Sequence, residues 1–197
     1  MLATVSALML LLLAPGPTNT LLFRAGVLFG LRASWKLAFI ECLAYLLQVS
    51  VWGVALLYLA AYSPWAVKLI QLAAGTYLLV VSWRLWRSVK ALEDVNQDRF
   101  TGGYFFWMTV MNPKGLLIAS LIAPPDTFIH WTGYLAFMGT LALVVIPVGA
   151  AWIVFGAGVV GRGRHWLTPR VINRTAALAI GCFATVLLGR LATSILT

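Results

Sequence analysis

Six apolar runs, each close to the length of a membrane-spanning helix, constrain the fold of this chain more than any other feature. They cover Leu2–Phe23, Leu37–Ala61, Pro64–Arg84, Gly102–Pro124, Trp131–Val160 and Thr175–Leu196. A helix needs roughly 20 apolar residues to cross a bilayer. Only 10% of the residues are charged, whereas soluble domains contain about 25%. The runs therefore predict an all-α polytopic membrane protein with six transmembrane helices, whose main partner is the lipid bilayer.

The net charge of +9 predicts a membrane orientation and no nucleic-acid partner, because the basic residues are scattered between apolar runs without forming one dense patch. The first, third and fifth connections hold nearly all of them: Arg24, Arg32, Lys36, Arg84, Arg87, Lys90, Arg99, Arg162, Arg164, Arg170 and Arg174. The second and fourth connections hold only Lys68. Cytoplasmic connections carry the excess of Lys and Arg, so both termini are expected on the outer side.

The most polar segment, Lys90 to Arg99, divides the six runs into two sets of three. We therefore expect a first half of residues 1–98 and a second half of residues 99–197 within one membrane domain. An odd number of spans makes the second half enter the membrane from the opposite side, which gives two inverted three-helix repeats if the halves share a fold. The first helix of each half is broken near its centre, by Pro15-Gly16-Pro17-Thr18-Asn19 in one and Asn112-Pro113-Lys114-Gly115 in the other.

These two breaks predict a binding site. Proline removes a backbone donor and clashes with the preceding turn, so each break frees polar backbone groups where lipid cannot satisfy them. Broken helices at matching positions of two halves are typical of a substrate site at the repeat interface. The alternative is that the prolines only kink helices for packing, which is the interpretation we prefer for Pro147.

Two charged residues add to this prediction. Lys114 lies near the centre of the fourth run, where a charge costs at least about 2.5 to 3.5 kcal/mol, so a partner must compensate it. Glu41 is the only acid well inside a span and is one candidate. Glu41 is equally interpretable as an interfacial residue paired with Lys36 or Arg32. Thr18, Asn19 and Asn112 would supply neutral hydrogen bonds to a ligand.

Reactive residues are few. Cys42 and Cys182 are isolated and predicted to be buried thiols, with neither redox nor zinc spacing, so no cofactor or metal is expected. His130 and His165 fall in connections on opposite sides of the membrane, and no hydrolase motif is present. Gly26 and Gly30 form a GxxxG pattern, which leaves a homodimer possible but indicates it only weakly.

Four motifs, taken in order, resemble the lysine exporter (LysE/RhtB) family of bacterial amino-acid exporters. They are Pro15-Gly16-Pro17 with the stretch to Gly30-Leu31-Arg32, Leu72-Ala73-Ala74-Gly75-Thr76-Tyr77-Leu78 leading into Trp83-Arg84-Leu85-Trp86-Arg87, Asn112-Pro113-Lys114, and Ile172-Asn173-Arg174. The similarity covers nearly the whole chain. The second span departs from the family in having Glu41-Cys42-Leu43-Ala44-Tyr45 where small glycines are usual.

The resemblance implies a secondary transporter of the bacterial cytoplasmic membrane that exports amino acids or related small metabolites, driven by the proton gradient. On this interpretation the substrate-binding residues are Pro15, Gly16, Pro17, Thr18, Asn19, Glu41, Asn112, Pro113 and Lys114. The half-helix after Pro17 would offer its amides to a carboxylate, and Glu41 would attract an amino group or carry a proton. A passive channel or a structural membrane subunit is the alternative, and a membrane-embedded enzyme is a weaker one.

Overall fold

The computed structural model describes residues 2–87, 101–124, 126–159 and 169–196. Over these ranges the chain folds into eight α-helices and one π-helical turn, without a β-strand. The predicted all-α class is thereby confirmed. The predicted boundary between the halves near residue 98 lies outside the described residues, as do the basic residues at 90, 99, 162 and 164 and the histidine at 165.

The first span is broken where the prolines predicted. Helix α1 covers Leu2–Leu13 and helix α2 covers Pro17–Ser34, and their axes diverge by 62°. The apolar run ends at Phe23, yet α2 continues for three further turns, so the predicted connection containing Arg24 and Arg32 is helical instead. Within α2, Gly30 has φ of 72°, a left-handed conformation that favours glycine and interrupts the regular helix.

Two long helices complete the first half. Helix α3 covers Lys36–Tyr62 and helix α4 covers Pro64–Arg87. Only Ser63 separates them, and its extended backbone turns the chain. Proline at the first position of α4 suits a helix start, because that residue has no intrahelical donor to lose.

The fourth span is broken as well. Helix α5 covers Gly102–Val110, helix α6 covers Lys114–Leu117, and a π-helical turn, Ile118–Ile122, continues it. The axes on either side of the break differ by 44°. Helix α7, Trp131–Val159, runs through Pro147 without interruption, and helix α8 covers Pro169–Leu196.

The chain is a multi-pass membrane protein by the length and composition of its helices. Helices α3, α4 and α7 are each long and apolar enough to cross a bilayer, and counting each bent pair as one span gives up to five. The sixth span, predicted for α8, stays a prediction; the described side chains of this helix include the apolar stretch Ala177–Thr193.

Glycines set the closest packing between helices. A methyl group at Gly26 of α2 would fall on the Ile153 carbonyl of α7, and one at Gly156 of α7 would fall on the Phe23 carbonyl of α2. The two backbones therefore touch, as small residues allow in membrane helices. Gly26 of the GxxxG pattern is thus used inside the chain, whereas a methyl group at Gly30 would meet no neighbour within 4 Å.

The remaining helices pack around α3, which contacts α5, α6, the π-helical turn and α7. Helix α4 lies along α8, where the Ser82 hydroxyl donates to the Ala177 carbonyl at 2.7 Å. Cys42 is buried as expected, but Cys182 is exposed on the surface of α8, so the prediction of a second buried thiol was wrong.

Candidate functional site

The first break is held together by Asn19, which is 1% exposed. Its side-chain amide donates to the Leu12 carbonyl at 2.5 Å and to the Ala14 carbonyl at 2.9 Å. These carbonyls belong to the end of α1, where a helix has no intrahelical partner for its last acceptors. The two N–H groups of the Asn19 amide therefore satisfy carbonyls that water would satisfy at an exposed helix end.

The second break is organised by Asn112 in a similar way. Its side-chain oxygen accepts the backbone N–H of Lys114 at 3.1 Å, which satisfies one free donor at the start of α6. Its main-chain carbonyl accepts from the Gln48 amide nitrogen at 2.5 Å and from the Gly115 N–H at 3.3 Å. Gln48 comes from α3, so a third span closes this break.

The two breaks meet each other. The Asn112 side-chain nitrogen donates to the Thr18 hydroxyl at 3.1 Å, and the Lys114 ammonium donates to the Ala14 carbonyl at 2.5 Å. A methyl group at Gly16 would lie 3.3 Å from Lys114 Cε, so glycine lets the lysine side chain pass. The predicted proximity of the breaks is confirmed. Their role in substrate binding stays a prediction.

Helix α3 forms a polar wall facing both breaks. Glu41, Tyr45 and Gln48 are spaced by four and three residues, which places them on one helix face, and all three are buried. The Tyr45 hydroxyl is 3.4 Å from the Asn112 side-chain nitrogen. The Thr18 hydroxyl lies beside both Tyr45 and Glu41.

Glu41 and Lys114 bring ionisable groups of opposite sign into this layer. Glu41 is 1% exposed and Lys114 is 5% exposed, and in their ionised forms the two groups attract each other. The interfacial interpretation of Glu41 is wrong, because its carboxylate is buried while Lys36 and Arg32 are exposed. Buried charges are tolerated in proteins when they are paired or hydrogen-bonded. Glu41 Oε1 nevertheless has no hydrogen-bond partner, and neither does Gln48 Oε1.

Glycines make room for the charged and polar side chains. A methyl group at Gly149 of α7 would come within 2.6 Å of Glu41 Oε2. One at Gly115 would overlap the side chain of Gln48. With Gly16 beside Lys114, three glycines, one in the first break and one each in α6 and α7, border Lys114, Gln48 and Glu41.

Apolar side chains close the layer on two sides. Leu22, Ala38, Phe105 and Ile153 are buried together where α2 and α7 approach α3 and α5. Leu22 and Ala38 also contact the position of Gly149, directly beside Glu41. Leu8, Leu11, Leu12 and Leu141 are buried on the side of α1 and α7. The polar layer is therefore occluded.

A cavity of about 310 Å³ lies beside the N-terminal part of α7, away from the polar layer. Thr4, Asp126, Thr127, His130 and Thr140 give its walls polar groups. Thr140 and Gly149 are nine positions apart in α7, which is about 13 Å along a helix axis. The buried Leu141, Val144, Val145 and Val148 occupy that distance, so the cavity and the polar layer are separate.

The predicted site residues divide into two groups. Gly16, Thr18, Asn19, Glu41, Asn112 and Lys114 come together in the polar layer. Pro15, Pro17 and Pro113 shape the backbone and bring no polar side chain to it. Pro113 also lines a second, largely apolar cavity of about 310 Å³ with residues of α4.

Sequence reasoning missed Tyr45, Gln48, Gly115 and Gly149 as site residues. The spacing of Glu41, Tyr45 and Gln48 was the available signal, since three polar residues on one face of an apolar helix indicate a buried polar stripe. The chain has 17 glycines, and nothing in the sequence distinguished Gly149 from the others.

Across the described ranges, no three His, Cys, Asp or Glu side chains come together as a metal site would require. No family model, curated protein or solved structure matches this chain.

Proposed function

We propose that the protein is a secondary transporter that exports amino acids or related small metabolites from the bacterial cytoplasm by alternating access, coupled to protons. The observation that carries this proposal is the meeting of two broken spans at one buried layer that contains Lys114 and Glu41. Non-helical backbone inside a membrane is tolerated where it is buried in protein or lines a cavity, and transporters use such breaks to bind substrate.

The packing of the helices supports the proposed six spans and inverted repeat. In that repeat α3 corresponds to α7 and α4 corresponds to α8. Helix α3 packs on α7, and α4 packs on α8. A two-fold axis that relates the two halves would exchange the members of each pair, so corresponding helices are expected to be neighbours in this way. Helix α8 has 28 residues, enough to cross a bilayer despite Arg190.

The chemistry of the layer suits a zwitterion. Helix α2 begins at Pro17 without a side-chain cap, and the Thr20 N–H donates to the Gly16 carbonyl, so the N–H groups of Thr18 and Asn19 are left for a carboxylate. Lys114 adds a positive charge beside that helix start, and Glu41 adds a negative charge for an amino group or a proton. Binding needs only to differ between the inward-open and outward-open states for transport to occur.

Resemblance of four motifs to the lysine exporter family supports the same class, and the basic connections support a cytoplasmic-membrane location with both termini outside. The test is uptake of a labelled amino-acid panel into inverted vesicles, with and without a proton gradient. Accumulation that depends on the gradient is the expected result. Movement only down the substrate gradient would identify a passive channel, and no movement would favour a structural subunit.

A further inference from the structure

The cavity beside the N-terminal part of α7 reaches from the protein surface into the bundle. Asp126, His130 and Thr132 line it and are exposed, so the cavity opens to the surface on this side. Thr140 also lines it, is half-buried, and lies nine positions into α7 from Trp131, which is about 13 Å along the helix axis. The volume of about 310 Å³ falls within the range of about 300 to 1,000 Å³ that is typical of small-molecule sites.

The floor of the cavity leads into a contact between α1 and α7. Thr4 of α1 and Phe137 of α7 line the cavity. On each helix a buried leucine follows four residues later, on the same helix face: Leu8 and Leu141. We call this contact the seam, and it consists of the buried apolar side chains of Leu8, Leu11, Leu12, Leu141, Val144, Val145 and Val148.

Both helices give nearly the same length for the seam. On α1, Thr4 beside the cavity is eight positions from Leu12, about 12 Å along the axis. The Leu12 carbonyl already belongs to the polar layer, because it accepts from Asn19. On α7 the interval from the cavity to Gly149, which borders Glu41, is about 13 Å. The seam therefore connects the floor of the cavity to the polar layer.

The seam differs in kind from the contact between α2 and α7. At Gly26 and Gly156 those two helices touch backbone to backbone, and side-chain movement alone cannot open such a contact. The seam consists of leucine and valine side chains. Helix α1 joins α2 through the break at Pro15-Gly16-Pro17, and hinges lie in such segments at the ends of helices. Movement of α1 would thus open the seam while α2 stays packed on α7.

We propose that the cavity is the outer binding site on the export path, which holds an amino acid before its release, and that the seam is the gate between this site and the polar layer. The inference rests on the proposed transport function and adds a route to it. The carboxylate of Asp126 and the hydroxyls of Thr4 and Thr127 supply oxygen atoms that suit an ammonium group. A tightly packed apolar constriction excludes water and polar solutes, so the closed seam separates the two sites.

The first experiment measures how fast a cationic, membrane-impermeant methanethiosulfonate modifies single cysteines in a chain whose native cysteines are replaced by alanine. Tyr62→Cys, exposed at the same end of the bundle, defines the side to which the reagent is added. Thr140→Cys should react, because the cavity admits the reagent. Val145→Cys should react about 10 to 1,000 times more slowly, as expected for a minor open state. Ile153→Cys is equally buried in α7 but lies beyond the polar layer, and it should stay unmodified.

The second experiment measures export after modification. Cells that carry Thr140→Cys are labelled to completion, and inverted vesicles made from them are tested with the labelled amino-acid panel. Without the reagent this variant should transport like the wild type, because the substitution is small. After labelling it should lose most export, since the attached group occupies the cavity. Tyr62→Cys is the matched control, and it should keep its export after labelling.

The outcomes separate this inference from the transporter proposal. If Thr140→Cys does not react, or exports normally when fully labelled, the cavity is not on the path. If Val145→Cys reacts no faster than Ile153→Cys, the seam is not the gate, and Val148→Cys gives the same test should Val145→Cys not accumulate. Each of these results leaves the transporter proposal standing when the wild type exports. Absence of transport for every amino acid would overturn both proposals.

Discussion

At the scale of single residues, Lys114 decides between a structural and a functional interpretation of the site. Its ammonium is hydrogen-bonded to the Ala14 carbonyl, which also accepts from Asn19. That carbonyl therefore keeps a partner when the lysine is replaced. If Lys114 were needed to hold the two breaks together, no other side chain would donate to the Ala14 carbonyl, but Asn19 does.

We expect Lys114→Met to insert and to melt near the wild-type temperature in detergent, yet to lose most export. Methionine retains length and apolar bulk, so the free energy of unfolding should fall by about 1 kcal/mol, the net value of one hydrogen bond. Loss of one partner from a permanent buried ion pair would cost about 3 to 5 kcal/mol. Melting and vesicle transport, measured together, separate these cases.

The export activity of Lys114→Arg should lie between those of Lys114→Met and the wild type, because arginine restores the charge but places a bulky planar guanidinium beside Gly16. Lys68→Met is the matched control, since Lys68 lies over the Trp65 ring near the start of α4 and away from both breaks. Normal export by Lys114→Met would remove the substrate role. Failure of that variant to accumulate would favour the structural role.

The residues of the site were predictable only where they break a local rule. Prolines within an apolar run, and a lysine near its centre, violate helix and membrane preferences and so identified both breaks. Gln48 gave a weaker signal, its spacing from Glu41 and Tyr45 on one face of an apolar helix. Its importance follows from Asn112 and Gly115, which are more than 60 positions away in the chain.

At the scale of elements, the contact between α2 and α7 depends on glycine. The backbones of Gly26 and Gly156 leave no space for a methyl group against the facing carbonyls. The same helix offers a control, because a methyl group at Gly158 would have no neighbour within 4 Å. Two glycines of α7, two positions apart, thus differ only in what they face.

Gly156→Ala should lower the free energy of unfolding by about 1 to 3 kcal/mol, since overpacking forces the backbones of α2 and α7 apart. Gly158→Ala should leave it unchanged or raise it by up to about 1 kcal/mol, because alanine is the better helix former. Thermal melting of both variants in the same detergent checks the difference. Equal melting would mean that α2 and α7 do not pack through Gly156.

Helix limits were less predictable than helix positions. The prolines predicted the two broken spans, but hydropathy ended the first run at Phe23, while α2 continues to Ser34 and is interrupted at Gly30 without a prediction of it. The reason is tertiary: α2 packs along α7 beyond the apolar run, and this contact stabilises helix where composition alone favours a connection. The π-helical turn after α6 had no sequence signal for a similar reason, because it follows from closing the broken span around α3.

At the scale of the whole molecule, the two ends of the bundle differ in charge. Arg87 lies over Trp83 at 4.4 Å and Arg174 lies over Trp86 at 5.2 Å, so the end of α4 and the start of α8 share one basic, aromatic end. Lys68 beside Trp65 lies near the start of α4, at the opposite end, with Trp131 exposed at the start of α7. Aromatic side chains at both ends are typical of membrane interfaces, and the arginine excess indicates which end is cytoplasmic.

Single cysteines test that orientation in intact cells. The background replaces Cys42 and Cys182 with alanine, so that each introduced cysteine is the only thiol in the chain. Arg87→Cys and His130→Cys then place one thiol at each end of the bundle, both at exposed positions. We expect an impermeant thiol reagent to label His130→Cys and to spare Arg87→Cys, because the proposed orientation places the basic end in the cytoplasm. A permeant reagent should label both, which shows that each thiol is reactive.

In inverted vesicles the impermeant reagent should label Arg87→Cys and spare His130→Cys. Labelling of Arg87→Cys in intact cells would contradict the proposed orientation. It would place the basic end outside and reverse the direction of transport proposed for this protein.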